Sequence, residues 1–101
     1  MMTFDEILQE IHAMRQNLLV FERKYGVPSE LFFEAYQNGE EPADSACVLD
    51  WAEWAGTYKI LQRRLMQYQQ HAHQLVKNST VKNLAQLIER TARHESFPIA
   101  A

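Results

Sequence analysis

Residues 47–75 read CVLDWAEWAGTYKILQRRLMQYQQHAHQL, and this stretch decides the fold. Its apolar residues recur at alternating steps of three and four, which places them on one face of an α-helix as a heptad seam. The members of this seam are Cys47, Trp51, Trp54, Tyr58, Leu61, Leu65, Tyr68, Ala72 and Leu75. Gly56 lowers the helix propensity without interrupting the seam. We therefore predict one long helix over residues 46–77, capped at Asp44 or Ser45.

A second seam of the same kind lies nearer the N-terminus. Its members are Phe4, Ile7, Ile11, Met14, Leu18, Phe21 and Tyr25. Thr3 and Glu6 have the spacing of a capping box at the start of this helix. Gly26 favours a left-handed C-cap, and Pro28 opposes any continuation of the helix. The pattern predicts a helix over residues 4–25.

Two shorter helices complete the prediction. Residues 29–37 are crowded with aromatic and aliphatic side chains and end at Asn38-Gly39, which predicts a short helix that plugs the end of the helix pair or sits in an interface. Asn78-Ser79-Thr80 breaks the long helix and can cap a fourth helix over residues 81–93. The apolar stripe of that helix is Val81, Leu84, Leu87, Ile88 and Ala92. We expect one helical domain over residues 1–95 and a flexible C-terminal tail over residues 96–101.

The two long helices differ in predicted length. At 1.5 Å per residue the first spans roughly 33 Å and the third roughly 48 Å, so an antiparallel pairing leaves about ten residues of the third helix uncovered. The large apolar residues concerned are Met66, Tyr68, Leu75 and Val76. We expect the fourth helix to fold back over part of this overhang and a second copy of the chain to cover more of it. The predicted fold is an all-α helical bundle of two long antiparallel heptad helices and two shorter ones, assembled as a homodimer.

The composition excludes several classes of protein. The chain has 101 residues, which suits one domain, and its hydrophobic content of 47% is typical of a folded globular protein. Cys47 is the only cysteine, so no intrachain disulfide and no paired thiols for zinc are available. No apolar run reaches a membrane-spanning length, and the N-terminus carries acids where a signal peptide needs bases. We therefore expect a cytoplasmic protein with no membrane partner.

The net charge of −3 hides an asymmetry between the two halves of the sequence. Residues 1–55 hold eleven acidic and three basic residues (−8), and residues 56–101 hold seven basic and two acidic residues (+5). We favour internal complementarity, in which the acidic first helix lies against the basic part of the third helix or of a dimer mate. The alternative is a basic surface for nucleic acid, made of Arg63, Arg64, Lys77, Lys82, Arg90 and Arg93. The dispersal of these bases and a pI of about 5.8 argue against a nucleic-acid partner.

The sequence offers no constellation for catalysis or metal binding. His71 and His73 are two residues apart, so on a helix they point roughly 200° away from each other. Asp50 and Glu53 share one face, but acids near the start of a helix are also what the helix dipole favours. Neither a glycine-rich phosphate loop nor a Ser/His/Asp arrangement is present. We predict a protein that is not an enzyme and holds no metal or cofactor.

Three pieces of the sequence, taken together, resemble a known family. Glu22-Arg23-Lys24-Tyr25-Gly26 leads into Ser29-Glu30-Leu31-Phe32, Asn38-Gly39 follows, and residues 50–58 then read DWAEWAGTY. This order, with its E-W-x-G core, resembles a group of small bacterial all-helical proteins often described as antitoxin components of toxin–antitoxin pairs. The resemblance covers about half of the chain, and Pro28 departs from the Ser or Thr expected there. It implies a non-catalytic protein that binds a toxin and occludes its active surface.

We therefore expect a protein–protein interaction module that works through helix packing and acidic complementarity. Its acidic helices could cover a basic toxin surface, such as that of an RNA-cleaving enzyme. The candidate partner-binding residues are Glu30, Glu34, Glu40, Glu41, Asp50 and Glu53. Two alternatives stay open at this point: a homo-oligomeric structural or adaptor protein without a toxin, and a weak nucleic-acid binder that uses the basic C-terminal half.

Overall fold

The structure is a computed structural model, and it describes residues 2–77 and 83–92. The described residues form four α-helices and one 3-10 turn, with no strand among them. These elements are α1 (Phe4–Tyr25), α2 (Ser29–Gln37), the 3-10 turn (Ser45–Cys47), α3 (Val48–Lys77) and α4 (Leu84–Ala92). The prediction of an all-helical chain with two long and two short helices is confirmed.

Both ends of α1 are set by the residues that the sequence indicates. The Glu6 N–H donates to Thr3 Oγ1 at 3.1 Å, and the Glu6 carboxylate accepts from the Thr3 N–H, which completes the capping box. At the other end Gly26 has a φ of 75°, the left-handed conformation that glycine adopts without strain. Its N–H donates to the Glu22 carbonyl at 2.8 Å. The turn into α2 therefore has a defined geometry.

The two long helices, α1 and α3, pack along each other and enclose the core. The Phe4 ring lies on the His71 ring with centroids 4.4 Å apart, and the Phe21 ring lies on the Trp54 ring at 5.7 Å. The buried apolar residues are Ile7, Met14, Leu18, Phe21, Phe32, Trp54, Ala55 and Leu61. Six of the eight belong to the two predicted seams, and α2 adds one aromatic ring, Phe32.

The short helix α4 differs from the expectation in its start and in its packing. Asn83 Oδ1 accepts the Gln86 N–H at 2.9 Å, so Asn83 caps this helix. The predicted cap at residues 78–80 lies outside the described residues. In the described part of the chain, α4 packs against none of the other three helices. The expectation that it folds back over the end of α3 is therefore wrong there, and its apolar stripe stays uncovered, with Leu84 68% and Ile88 55% exposed.

The C-terminal end of α3 extends beyond α1 as the length argument predicts, but the overhang is shorter than predicted, since the Phe4 ring also stacks on Tyr68 at 5.8 Å. Because Phe4 lies against His71, the last six residues of α3 pass the start of α1. Val76 in this overhang is 76% exposed, and Met66 is also exposed. None of the helices in residues 2–77 and 83–92 is long and apolar enough to cross a bilayer. The predicted domain limit at residue 95 and the predicted tail over 96–101 lie outside the described residues.

Candidate partner-binding site

Two of the three pieces of sequence that carry the family resemblance, residues 22–32 and residues 50–58, meet in one buried hydrogen-bond relay. The Trp54 indole Nε1–H donates to Ser29 Oγ at 2.9 Å. The Ser29 hydroxyl in turn donates to Glu22 Oε2 at 2.8 Å, and the Ser29 backbone N–H donates to the same oxygen at 3.0 Å. Ser29 and Trp54 are each only 1% exposed. The relay therefore satisfies polar groups that burial would otherwise leave without partners.

The same relay caps α2. Pro28 stands at the N-cap and has no side-chain hydrogen bond to offer, since its ring carries no donor or acceptor. The Glu22 carboxylate, from the last turn of α1, accepts the first free N–H of α2 instead. The negative charge also lies at the positive end of the α2 dipole. This cap explains how the chain tolerates Pro28 at a position where Ser or Thr is expected.

Aromatic stacking completes the junction between α1, α2 and α3. The Phe32 ring lies flat on Trp54, with centroids 3.7 Å apart and an interplanar angle of 1°. The rings of Phe21 and Tyr25 also stack on the indole, with centroid distances of 5.7 and 5.6 Å. Trp51 meets the edge of Phe32 at 5.3 Å. We call Glu22, Ser29, Phe32 and Trp54 the junction cluster, and its role is to join the three helices.

The carboxylate of Asp50, a predicted partner-binding residue, forms its hydrogen bonds within the chain. Its Oδ2 accepts from Lys24 Nζ and from the Tyr25 hydroxyl, each at 2.6 Å. The hydrogen bond from Lys24 is the main reason why the pKa of Asp50 is lowered. The hydrogen bonds to Asp50 likewise raise the pKa values of Lys24 and Tyr25. Asp50 is therefore held as a carboxylate by α1.

Two other predicted acids, Glu40 and Glu41, line a cleft at the junction end of the molecule. The cleft has a volume of about 450 Å³ and lies between the end of α2, the loop that follows it and the start of α3. Its lining includes Tyr36, Glu40, Glu41, Pro42, Val48 and Trp51. Both glutamates are exposed, whereas the two aromatic side chains are half-buried. We call this feature the acidic cleft.

The remaining predicted acids are exposed but are not among the residues that line the acidic cleft. Glu30 and Glu34 lie on α2, and Glu53 lies on the first turns of α3. The structure thus brings Glu40 and Glu41 into one concave site and leaves the other three outside it. The sequence could not reveal Tyr36, Val48 and Trp51 as neighbours of these acids. The only hint was the Asn38-Gly39 turn, which brings the chain back beside the end of α2.

The predicted basic surface is divided by the fold. Arg64 is half-buried; its Nε forms an ion pair with Glu10, and its Nη1 donates to Gln67 Oε1 at 3.1 Å. Arg63 and Lys77 are exposed on α3, and Arg90 is half-buried on α4. The predicted residues Lys82 and Arg93 lie outside the described residues. The Arg64–Glu10 pair agrees with charge complementarity between α1 and α3, while Lys24–Asp50 shows the reverse polarity.

The three histidines in the described residues, His12, His71 and His73, belong to no cluster that could bind a metal ion. His71 is 5% exposed, its ring stacks on Phe4, and its Nδ1 is buried without a hydrogen-bond partner. Burial lowers the pKa of His71, because the charged imidazolium would lose its hydration. His73 is exposed. Within residues 2–77 and 83–92, no group of three or more His, Cys, Asp and Glu side chains could hold a metal ion.

No protein-family model, curated protein or solved structure matches the chain. Assignment of a function therefore depends on the residues and on their placement in the fold.

Proposed function

We propose that the chain is a non-catalytic protein–protein interaction module, similar to an antitoxin, that binds a basic partner protein through the acidic cleft. We further propose that it forms an antiparallel heptad hairpin and assembles as a homodimer. The observation that carries the first proposal is the pairing of exposed Glu40 and Glu41 with half-buried Tyr36 and Trp51 in one concavity.

The composition of the cleft suits a lysine or arginine side chain. A cation can pair with a carboxylate while its aliphatic stem or guanidinium plane lies on an aromatic ring. The exposed acids outside the cleft, Glu30, Glu34 and Glu53, add to the negative charge that would attract a basic protein and speed the encounter. A toxin that binds RNA needs a basic surface, so occlusion of that surface is the form of neutralisation that this site favours.

The basic half is a poorer candidate for the functional surface. Arg64, one of its six predicted residues, is engaged by Glu10 and Gln67, which reduces the charge available to a phosphate backbone. A non-specific nucleic-acid binder needs several free cations on one face. We therefore place the partner at the acidic cleft.

The homodimer proposal is supported by apolar surface that the hairpin does not cover. Val76 at the end of α3 and Leu84 and Ile88 on α4 are all more than half exposed. A chain of this length buries a modest fraction of its surface when it folds. Contact with a second copy would bury these apolar residues further.

The proposed function is tested by co-purification of the tagged chain from its native host, with bound proteins identified by mass spectrometry. The variant E40Q/E41Q removes two negative charges from the cleft and changes neither its size nor the fold. The matched control Q16K/N17K makes the same change in net charge at two exposed positions of α1. We expect a basic protein with the wild type and with the control, and its loss with E40Q/E41Q. Equal recovery with all three would contradict the proposal.

A further inference from the structure

Two aromatic rings in the lining of the acidic cleft are held in place by the junction cluster. The Trp51 ring meets the edge of the Phe32 ring at 5.3 Å, and the Tyr36 ring contacts the same ring at 5.7 Å. Phe32 is only 5% exposed and stacks on Trp54, so it gives both rings a fixed support. The aromatic part of the cleft therefore needs little rearrangement to receive a ligand.

The two carboxylates of the cleft are not neutralised by the part of the chain that the structure describes. Within residues 2–77 and 83–92, neither Glu40 nor Glu41 forms an ion pair. Asp50, by contrast, is already paired with Lys24. Both carboxylates of the cleft therefore remain available to a cation that comes from another molecule.

The combination of aromatic rings and carboxylates favours arginine over other cationic side chains. A guanidinium group is planar and weakly hydrated, so it stacks on an aromatic ring and still donates paired hydrogen bonds to a carboxylate. The ammonium group of lysine is a compact, strongly hydrated charge that loses more hydration at a half-buried aromatic surface. Trimethyllysine also binds to aromatic rings, but its quaternary ammonium has no N–H to donate to a carboxylate. Only the guanidinium uses both components of the cleft.

The size and the apolar part of the cleft suit a single side chain. Its volume of about 450 Å³ lies near the lower end of the roughly 300–1,000 Å³ that is typical of small-molecule pockets. Pro42, Val48 and Ala52 complete its lining with apolar surface. The three methylene groups of an arginine side chain can lie on such a surface while the charged end reaches the carboxylates.

From these observations we infer that the acidic cleft is an arginine-specific site, which receives one arginine side chain of the partner protein. The guanidinium stacks on the ring of Trp51 or Tyr36 and donates to Glu40 and Glu41, and the methylene groups contact Val48. This inference rests on the proposed function and names the residue type that the cleft recognises. Arginine is also among the residues that most often dominate the binding energy of protein interfaces.

Peptide titrations of the purified full chain test the inference without the partner protein. The probes are glycine peptides with one central residue, which is arginine, lysine, trimethyllysine or citrulline, the neutral analogue of arginine. Binding is followed by NMR through the backbone amides of residues 40 and 41. We expect the arginine peptide to bind about tenfold more tightly than the lysine and trimethyllysine peptides, and the citrulline peptide to cause no shifts. Equal affinity for arginine and lysine, or tighter binding of trimethyllysine, overturns the inference.

Ring variants give a second test with the same peptides. Y36L and W51L each remove one aromatic ring and keep an apolar side chain, and each should weaken binding of the arginine peptide about threefold to tenfold. Y68L, at an exposed tyrosine of the opposite end, is the matched control and should bind as the wild type does. Melting temperatures check that each variant is folded, and Y36L carries the comparison if W51L is not. Unchanged affinity in the folded ring variants overturns the inference.

The outcomes separate this inference from the proposed function. If arginine and lysine peptides bind equally while E40Q/E41Q still loses the partner protein in co-purification, the proposed function stands and the arginine specificity is wrong. If the arginine peptide binds as expected while E40Q/E41Q retains the partner protein, the arginine site is supported and the proposed function is wrong. If no peptide binds and E40Q/E41Q retains the partner protein, both are overturned.

Discussion

The two ends of the packed α1–α3 pair are built very differently. At the junction end, Trp54 is stacked between aromatic rings and its indole N–H enters a relay that ends at Glu22. At the opposite end, His71 is buried with an unpaired Nδ1, and α3 continues without cover from α1. The buried polar groups of the relay are thus satisfied where three helices meet, whereas the buried His71 Nδ1 has no partner where only α1 and α3 meet. We infer that the junction end provides most of the stability, while the other end depends on further contacts.

The largest difference in stability between the two ends is expected when one large aromatic side chain at each end is replaced by alanine. Trp54→Ala should lower the free energy of unfolding by about 3–5 kcal/mol, the range for large buried aromatic residues. Tyr68→Ala is the matched control, since Tyr68 belongs to the same seam but is exposed at the opposite end. Urea denaturation followed by circular dichroism measures both. Equal losses in the two variants would contradict the contrast between the ends.

Removal of the Ser29 hydroxyl should have the next largest effect. Ser29→Ala leaves the Trp54 indole N–H without its acceptor and removes one of the two hydrogen bonds that Ser29 donates to Glu22. We expect a loss of about 1–3 kcal/mol in unfolding free energy, as for other buried polar groups left unpaired. Ser45→Ala, at an exposed serine, serves as the control. A loss in Ser29→Ala no larger than in Ser45→Ala would show that the relay is dispensable.

The opposite end should be the more sensitive to acid. The pKa of His71 is lowered in the folded state, so the unfolded chain binds the proton first as the pH falls through the ordinary value of 6.5. Stability associated with His71 is therefore complete above that value and is lost as the pH falls from it towards the folded pKa. His71→Phe should reduce this loss, whereas His73→Gln, at an exposed histidine, should not. Melting temperatures between neutral and mildly acidic pH provide the measurement, and identical profiles for the wild type and His71→Phe would rule out the effect.

The smallest effect is expected when the Lys24–Asp50 ion pair beside the junction cluster is removed. Lys24→Met removes the main cause of the lowered pKa of Asp50, so that pKa should rise towards its ordinary value. Lys59→Met removes a charge at an exposed position of α3 and is the control. A carboxyl-carbon NMR titration follows Asp50 directly. No difference between the two variants would assign the lowered pKa to Tyr25 instead.

Periodicity was sufficient to predict both long helices, because heptad spacing is a local property of the sequence. The caps of α1 at Thr3 and Gly26 were equally local and are confirmed. The junction cluster was beyond such reasoning, since it requires residues 22, 29 and 54 to meet across three helices. Asp50 illustrates the same limit: its place near a helix start was predicted, but its contacts with Lys24 and Tyr25 depend on how α1 packs against α3. The acidic cleft likewise depends on the path of the loop after α2.

The Ser29–Trp54 hydrogen bond has a consequence for the order in which the chain folds. Synthesis begins at the N-terminus, so α1 and α2 leave the ribosome before Trp54 does. Until then the Phe32 ring has no indole to stack on, and the Ser29 hydroxyl has no donor. The first two helices therefore reach their final packing only after residue 54 has emerged. A nascent chain that stalls earlier exposes an aromatic surface to which chaperones or proteases can bind.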